Sequence, residues 1–531
     1  MTKASLTLSF TLTAALTALM AAPALAQPAA VPQLGNVHFA TSCNDVAQRR
    51  FDRAMRYQHS FWYQQSKEIY EEALQADPNC AIAYWGIALS LWNNPHGQPP
   101  APNVAPALAA IEKAKAVGAK TERERDFIDA LALLYTDYDK VDYRIRLHKY
   151  LKAMEALAAK YPDDDEAQIF YAITLNVSAS PADKTYAQQL RGAAILEPIF
   201  KRQPQHPGIA HYLIHLYDYP PIAAKGLDAA RRYAAIAPAA PHAQHMPSHI
   251  FTRVGYWKES IASNIASVKA AKASRESNET LHASDYMVYA YLQLAHDRDA
   301  QAVISDMMAV KDISADTAGG PFALAASPAR YAVERGDWAA AAALEVRPSK
   351  FPHVMAISHF ARALGAARSG HPQDAQVDIA KLTQIADTLR AAKNDYWANQ
   401  VDIQRQIATA WMLEAQGQHD AALAAMRAAV EAEDKTEKAP VTPGPLAPAR
   451  ELLGDMLLAH GDAAGALAAY EATLIKEPNR FNATAGAAAA AEKLGDKAKA
   501  TAYCEKLVAL AAGSDSDRPA LAHAKQYLAK N

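Results

Sequence analysis

The chain has 531 residues, and its 54 Lys and Arg against 56 Asp and Glu give a formal net charge of −2 at pH 7. This balance offers no excess of cations to hold a phosphate backbone, which argues against nucleic acid as a partner. The length exceeds what one compact hydrophobic core accommodates, so we expect several units or an elongated array.

The N-terminus has the residue order of a secretory signal peptide. Lys3 is followed by an uncharged run rich in Leu, Thr and Ala, and then by the small-residue site Ala24-Leu25-Ala26. We therefore predict that residues 1–26 are removed and that the mature protein is periplasmic or secreted. An uncleaved membrane anchor is the alternative, but Ser and Thr interrupt the apolar run. No later segment approaches the ~18 apolar residues of a membrane helix, so we expect no membrane span after cleavage.

Three cysteines in an exported chain allow one disulfide and leave one thiol. Cys43 and Cys80 flank the first predicted pair of helices, and we expect them to be bonded to each other. Cys504 falls at a helix-packing position of the repeat described next, so we expect it to be buried and inert.

The remaining sequence predicts helix after helix, because Ala is abundant and Gly is scarce within the periodic segments. A 34-residue spacing is clearest near the C-terminus, and it recurs upstream. The residues that match it are Gly454, Gly461, Ala466, Tyr470 and Pro478, then Tyr57, Ser66, Tyr70, Ala73 and Pro78, then Gly417, Ala422 and Met426. This spacing is that of a tetratricopeptide repeat (TPR), and it predicts an all-α solenoid of stacked antiparallel helix pairs with a concave groove.

A charged and then Pro-rich stretch interrupts the repeats. It contains Pro440, Pro443, Pro445 and Pro448, and it predicts a loop. We therefore divide the mature chain into an N-terminal TPR-like array over residues 27–433, a connecting loop over 434–448 and C-terminal TPR repeats over 449–531.

Histidines are concentrated in one segment, since six of the 18 lie between His206 and His249. They form two stripes at helical spacing, so each stripe lies on one face of its own helix. The stripes are His211, His215 and Asp218, and then His242, His245 and His249. In the TPR frame both stripes fall on the first helix (helix A) of successive repeats. In TPR families, these positions of helix A line the concave groove.

Imidazole is a common ligand of transition metals, and two histidines at i, i+4 can bind one ion. We predict a zinc, copper, iron or manganese site formed by His211, His215, Asp218, His242, His245 and His249, with His282 from the next helix A as a further ligand. Two other interpretations stay open: the imidazoles line a peptide groove, or they bond to the backbone. Pro247 within the second stripe could kink the helix and separate its ligands. For His59, a local packing role is favoured over metal binding.

No standard catalytic motif accompanies the histidines. The residues between His211 and His215 are Tyr, Leu and Ile, so the His-Glu-x-x-His motif of metallohydrolases is absent. Walker, dinucleotide-binding and nucleophile-elbow motifs are also absent. Asp218 and Glu197 are candidate bases towards a water molecule. The sequence leaves undecided whether the protein is a metal-dependent hydrolase, an oxidase or no enzyme.

Several segments resemble those of a broad group of bacterial exported TPR proteins with a His-rich central segment. They are Thr41-Ser42-Cys43, His59-Ser60-Phe61-Trp62, Asp77-Pro78-Asn79-Cys80-Ala81, residues 211–218, residues 245–251 and Thr442-Pro443-Gly444-Pro445. The resemblance implies export and a solenoid that binds peptides or proteins, and it implies no activity for particular residues. Three functions stay open: a metal site in the groove, a catalytic metal acting on a small molecule or peptide, and a metal-free scaffold for a peptide or cell-envelope protein. The oligomeric state is not indicated.

Overall fold

The computed structural model describes residues 1, 2, 4, 32–314 and 317–530. Most of the predicted signal peptide lies outside these residues, so cleavage after Ala26 stays a prediction. Within the described residues all regular secondary structure is helical. None of the helices in this part of the chain combines the length and apolar character that a membrane span requires. The described residues from Gln33 onward form one unit.

Helices follow one another as antiparallel pairs. Up to the second histidine stripe they are α1 (Asp45–His59), α2 (Tyr63–Ala76), α3 (Ala81–Trp92), α4 (Ala101–Val117), α5 (Glu122–Tyr135), α6 (Tyr143–Lys160), α7 (Asp165–Ser178), α8 (Ala187–Arg202), α9 (Pro207–Tyr217), a 3-10 helix (Ala223–Gly226), α10 (Leu227–Ile236), α11 (Pro241–His245) and α12 (Pro247–Arg253).

The array continues through α13 (Trp257–Ser274), α14 (Ser277–Gln293), α15 (Asp297–Met308), α16 (Gly319–Glu334), α17 (Trp338–Ala342), α18 (Pro352–Arg368), α19 (Pro372–Ala391), α20 (Asp395–Ala415) and α21 (His419–Asp434). It ends with α22 (Ala449–Ala459), α23 (Ala463–Lys476), α24 (Phe481–Leu494), α25 (Lys497–Leu510) and α26 (Pro519–Lys530). Each helix packs on its pair partner and on the next pair, which is the arrangement of a TPR-type α-solenoid. The predicted fold class is confirmed.

Small residues opposite a tyrosine explain the close packing within repeats. A Cβ atom at Gly86 would lie 2.5 Å from the ring of Tyr70, and one at Gly454 would lie 2.7 Å from the ring of Tyr470. Both tyrosines are fully buried, so each ring occupies the space that a larger residue would need. Cys504, one repeat after Tyr470, is buried and carries a free thiol.

First helices of different pairs contact one another, including helices that are far apart in the chain. Helix α1 contacts α9, and α14 contacts α24. The first pair is also covalently fastened, because Cys43 and Cys80 form a disulfide with their Cα atoms 5.0 Å apart.

The predicted connecting loop packs into the interior. Tyr286 of α14 donates its hydroxyl to the carbonyl of Pro440 at 3.0 Å. Arg330 of α16 donates to the carbonyls of Gly444 and Pro445, each at 3.1 Å. The loop therefore packs against α14 and α16, beside the second histidine stripe.

Candidate metal centre

The two histidine stripes lie on neighbouring first helices. Helices α9 and α11 both begin with a proline, whose missing N–H costs nothing at the first helical position. The second stripe crosses from α11 to α12 at Met246, where the backbone keeps helical angles of φ −54° and ψ −35°. Pro247 therefore interrupts the hydrogen bonding without turning His249 away from His245.

We call His211, His215 and His242 the first trio. Each offers a ring nitrogen, and the three nitrogens lie within 4.8 Å of one another. The Nε2 atoms of His211 and His215 are 3.1 Å apart. His242 comes from α11, so this trio joins an i, i+4 pair to one histidine of the following repeat.

The second trio, His245, His249 and His282, is built in the same way. Its ring nitrogens also lie within 4.8 Å of one another. The Nε2 atoms of His245 and His249 are 3.0 Å apart, and His282 comes from α14, the first helix of the next pair. The structure therefore gathers all six predicted ligand histidines into two adjoining groups.

The outer nitrogens of three rings contact oxygen acceptors. The Nδ1 atom of His211 lies 2.7 Å from the carbonyl oxygen of His59, and that of His245 lies 2.6 Å from Oδ1 of Asn264. The Nδ1 atom of His249 lies 2.9 Å from Oδ2 of Asp218. Asn264 donates its own amide N–H to the carbonyl of Ser260 at 2.7 Å, which fixes its Oδ1 as an acceptor.

These contacts assign the proton of each anchored ring to Nδ1 and leave a lone pair on Nε2. With these tautomers, His245 and His249 each present an Nε2 lone pair to the other across 3.0 Å. Two such lone pairs repel unless a cation lies beside both of them. Metal-binding histidines carry the same outer hydrogen bond, which sets the tautomer and aims the ring.

Burial and neighbouring imidazoles favour the uncharged form of four of these rings. Burial lowers the pKa of His211, His215 and His245 well below the ordinary value, and adjacent histidines lower it further. Burial also lowers the pKa of His282, to about 4. Neutral imidazole is the form that binds a metal, so the cluster is ready to bind at neutral pH.

Asp218, predicted as a ligand, lies at the outer edge of the second trio. Its carboxylate contacts Nδ1 of His249 and accepts from Nε of Arg253 at 2.8 Å, and it lies 3.3 Å from Nζ of Lys438. Burial raises the pKa of Asp218, but Lys438 and Arg253 outweigh this and hold it well below its usual range. Burial lowers the pKa of the Lys438 ammonium to about 8. Asp218 thus lies where it can orient His249, and its role as a metal ligand stays a prediction.

His59 and Glu197, the other residues considered from the sequence, lie outside both trios. The ring of His59 contacts the Tyr212 hydroxyl at 3.0 Å and Glu166 at 3.1 Å. His59 nevertheless serves the site through its backbone carbonyl, which holds His211. Glu197 accepts from the hydroxyl of Tyr217 at 2.6 Å.

Two residues near the trios were not singled out from the sequence. His96, in the loop after α3, has its ring centroid 4.5 Å from that of His215, and its buried Nε2 has no hydrogen-bond partner among residues 32–314 and 317–530. Glu279 places Oε1 3.4 Å from Nδ1 of His242. The i, i+3 spacing of Glu279 and His282 was a usable signal, whereas His96 belongs to no periodic stripe.

Aromatic rings form the walls of the cluster. The ring centroid of Phe61 lies 4.3 Å from that of His211, and the ring of Tyr286 lies 4.7 Å from that of His245. The side chain of His242 keeps 20% of its surface exposed, whereas His211 and His245 are fully buried. His242 and the neighbouring Glu279 therefore form the side of the cluster that solvent reaches.

No protein-family model matches the chain, and no curated protein matches it significantly. Similar solved structures include yeast Tom70, with 11% identity over 91% of this chain and 89% of that chain at a TM-score of 0.30. The Cut9–Hcn1 assembly of the APC/C matches with 11% identity over 91% and 96% of the two chains at 0.29. The P58(IPK) TPR domain matches with 12% identity over 79% and 99% at 0.22. Matches this distant carry no functional argument, and the TPR-type assignment follows from the paired helices and their spacing.

Proposed function

We propose that this protein is an exported TPR solenoid that binds a transition metal through its central histidines. The observation that carries the proposal is the approach of the Nε2 atoms of His245 and His249 to 3.0 Å, while the Nδ1 atom of each ring contacts an oxygen acceptor on the outer side. At metal–nitrogen distances of about 2.0–2.1 Å, two ligands of a tetrahedral ion lie roughly 3.3 Å apart. The 3.0 Å between the Nε2 atoms of His245 and His249 is close to this distance between ligands.

The burial of the histidine rings favours metal binding over a role in lining a peptide groove. A groove that binds a peptide exposes its polar groups, but His211, His245 and His249 are almost completely buried. Burial of polar groups without a satisfying partner is costly. An ion bound beside the Nε2 atoms removes this cost, and the exposed side at His242 and Glu279 gives it a route of entry.

Imidazole ligands narrow the choice of metal. They suit zinc, copper, nickel and iron, whereas manganese is better served by carboxylate and water. Three histidines in a trio leave a coordination position open, as catalytic sites require and structural zinc sites do not. An ion bound there would supply Lewis acidity or, if redox-active, electron transfer. The protein groups themselves bind, orient and shield the ion.

Export agrees with the disulfide between Cys43 and Cys80, since such bonds persist in oxidising compartments. In a periplasmic setting the protein would meet metal ions outside the cytosolic pool. We therefore propose that the ion is acquired after export.

The test is elemental analysis of the exported chain, purified without a His-tag or a chelating resin. We expect bound zinc, copper or iron in the wild type, and less of that metal in His211→Ala and His249→Ala, with unchanged helix content by circular dichroism. The exposed His148 offers a matched control, because His148→Ala leaves both trios intact. Full metal occupancy in both trio variants would refute the assignment. A wild-type protein that neither carries nor takes up metal would leave a docking scaffold.

A further inference from the structure

We infer that the histidine cluster holds two metal ions, one in each trio. This inference rests on the proposed metal function and adds the number of ions and their separate ligand sets.

The two trios repeat along the chain. His245 lies 34 residues after His211, and His249 lies 34 residues after His215, which is the length of one TPR unit. Each i, i+4 pair has its Nε2 atoms 3.0 or 3.1 Å apart. The two metal-binding pairs therefore occupy equivalent positions in successive repeats.

Each pair also acquires its own third ligand. His242 completes the first trio from the next repeat, and His282 completes the second from the repeat after that. The two trios share no histidine. Each trio therefore supplies three protein ligands, the number found in zinc sites that keep one coordination position open.

The number and grouping of the ligand nitrogens argue against one ion shared by both pairs. A tetrahedral ion takes four ligands, whereas the two trios supply six histidines. Within each trio the three ring nitrogens lie within 4.8 Å of one another, and the trios have no member in common.

A carboxylate lies along the boundary of the two trios. Glu279 Oε1 is 3.4 Å from Nδ1 of His242 in the first trio, and Glu279 precedes His282 of the second trio by one turn of α14. Two divalent ions bring positive charge into a largely buried cluster. Asp218 is already paired with Arg253 and Lys438, so Glu279 is the nearby carboxylate that can offset this charge.

The test is titration of metal-free full-length protein with zinc, with bound metal counted by native mass spectrometry. We expect two ions per chain in the wild type and one in either His215→Ala or His249→Ala, with none in the double variant. His215→Gln and His249→Gln repeat the measurement with side chains closer in volume. In copper-loaded protein, we expect magnetic interaction between two Cu²⁺ ions, and an isolated-ion spectrum from each single variant.

The outcomes separate this inference from the proposed function. One ion in the wild type, lost in either single variant, would overturn the two-ion assignment and leave the metal function standing. Two ions that both persist in the double variant would place binding elsewhere and refute both. No zinc or copper uptake by the wild type would also refute both.

Discussion

His245 and His249 hold their Nε2 atoms 3.0 Å apart while their Nδ1 atoms contact Asn264 and Asp218 on the outer side. The rings are thus aimed by groups that belong to other helices and turns, and folding positions the ligands before an ion arrives. Such preorganisation lowers the cost of binding, and it makes the outer acceptors as testable as the ligands.

Replacing Asn264 tests this outer support. Asn264→Leu keeps a similar volume but removes the acceptor for Nδ1 of His245, and loss of such a partner typically weakens metal binding about 10- to 100-fold. Asn264→Asp retains an acceptor oxygen and should bind close to the wild-type affinity. Zinc competition with a chromophoric chelator measures both variants. Equal affinity for Asn264→Leu and the wild type would show that the ring needs no outer partner.

Asp218 should matter for stability before any metal is added. Its carboxylate neutralises Arg253 and Lys438, whose side chains are 4% and 7% exposed. Asp218→Asn removes the carboxylate that contacts both buried cations, and we expect a loss of roughly 3–5 kcal/mol in the free energy of unfolding. Adding Lys438→Met should recover part of that loss. Urea denaturation of metal-free protein tests this, and an unchanged midpoint for Asp218→Asn would contradict it.

Gly86 tests the close packing of the first repeats. A methyl group there would lie 2.5 Å from the ring of Tyr70, which is fully buried. We expect Gly86→Ala to cost about 1–3 kcal/mol of unfolding free energy. Gly319→Ala is the matched control, since no atom of the described residues beyond its chain neighbours and its own helix backbone lies within 4 Å of the added carbon, and it should change stability by less than about 0.5 kcal/mol. Similar denaturation curves for both variants would argue against this packing.

His353 predicts a pH dependence away from the metal site. Its buried ring stacks on Trp397 with centroids 4.0 Å apart, and within the described ranges neither nitrogen has a hydrogen-bond partner. Burial lowers its pKa from 6.5 to about 4. Between these values the unfolded chain binds more protons, so stability falls as pH drops from 6.5 to 4, by up to about 3 kcal/mol.

His353→Phe keeps a stacking ring without the titration. We therefore expect its unfolding free energy to fall less than that of the wild type between pH 7 and pH 4.5. The exposed His148 supplies the control, because His148→Gln should follow the wild-type curve. Parallel losses in His353→Phe and the wild type would exclude His353 as a source of acid sensitivity.

Helical periodicity was sufficient to predict the fold class and the two histidine stripes. The spacings of His211 to His215 and of His245 to His249 place each pair on one face, whatever the surroundings. The 34-residue repeat places the two stripes on neighbouring first helices, so the histidine faces of these helices lie side by side. Local spacing therefore predicted which histidines would meet.

Periodicity could not decide the role of Asp218. A carboxylate at this position of the stripe can bind a metal directly or orient a histidine that binds it. Its contacts with Arg253 and Lys438 depend on helix α12 and on a loop 220 residues away. His96 belongs to no helix, and only the tertiary structure brings its loop to His215.

Spacing along the chain is a local property, so the amino-acid order was enough to specify helices, repeats and ligand pairs. Asn264 acts from the helix paired with the second stripe, and the division into two trios depends on how neighbouring repeats pack. The outer acceptor on His59 and the loop packed beside the site depend on contacts between distant segments. Such contacts follow from the small rotation between successive repeats, which accumulates along the solenoid. No short stretch of sequence specifies this accumulated rotation. Only the folded structure therefore shows which distant segments meet.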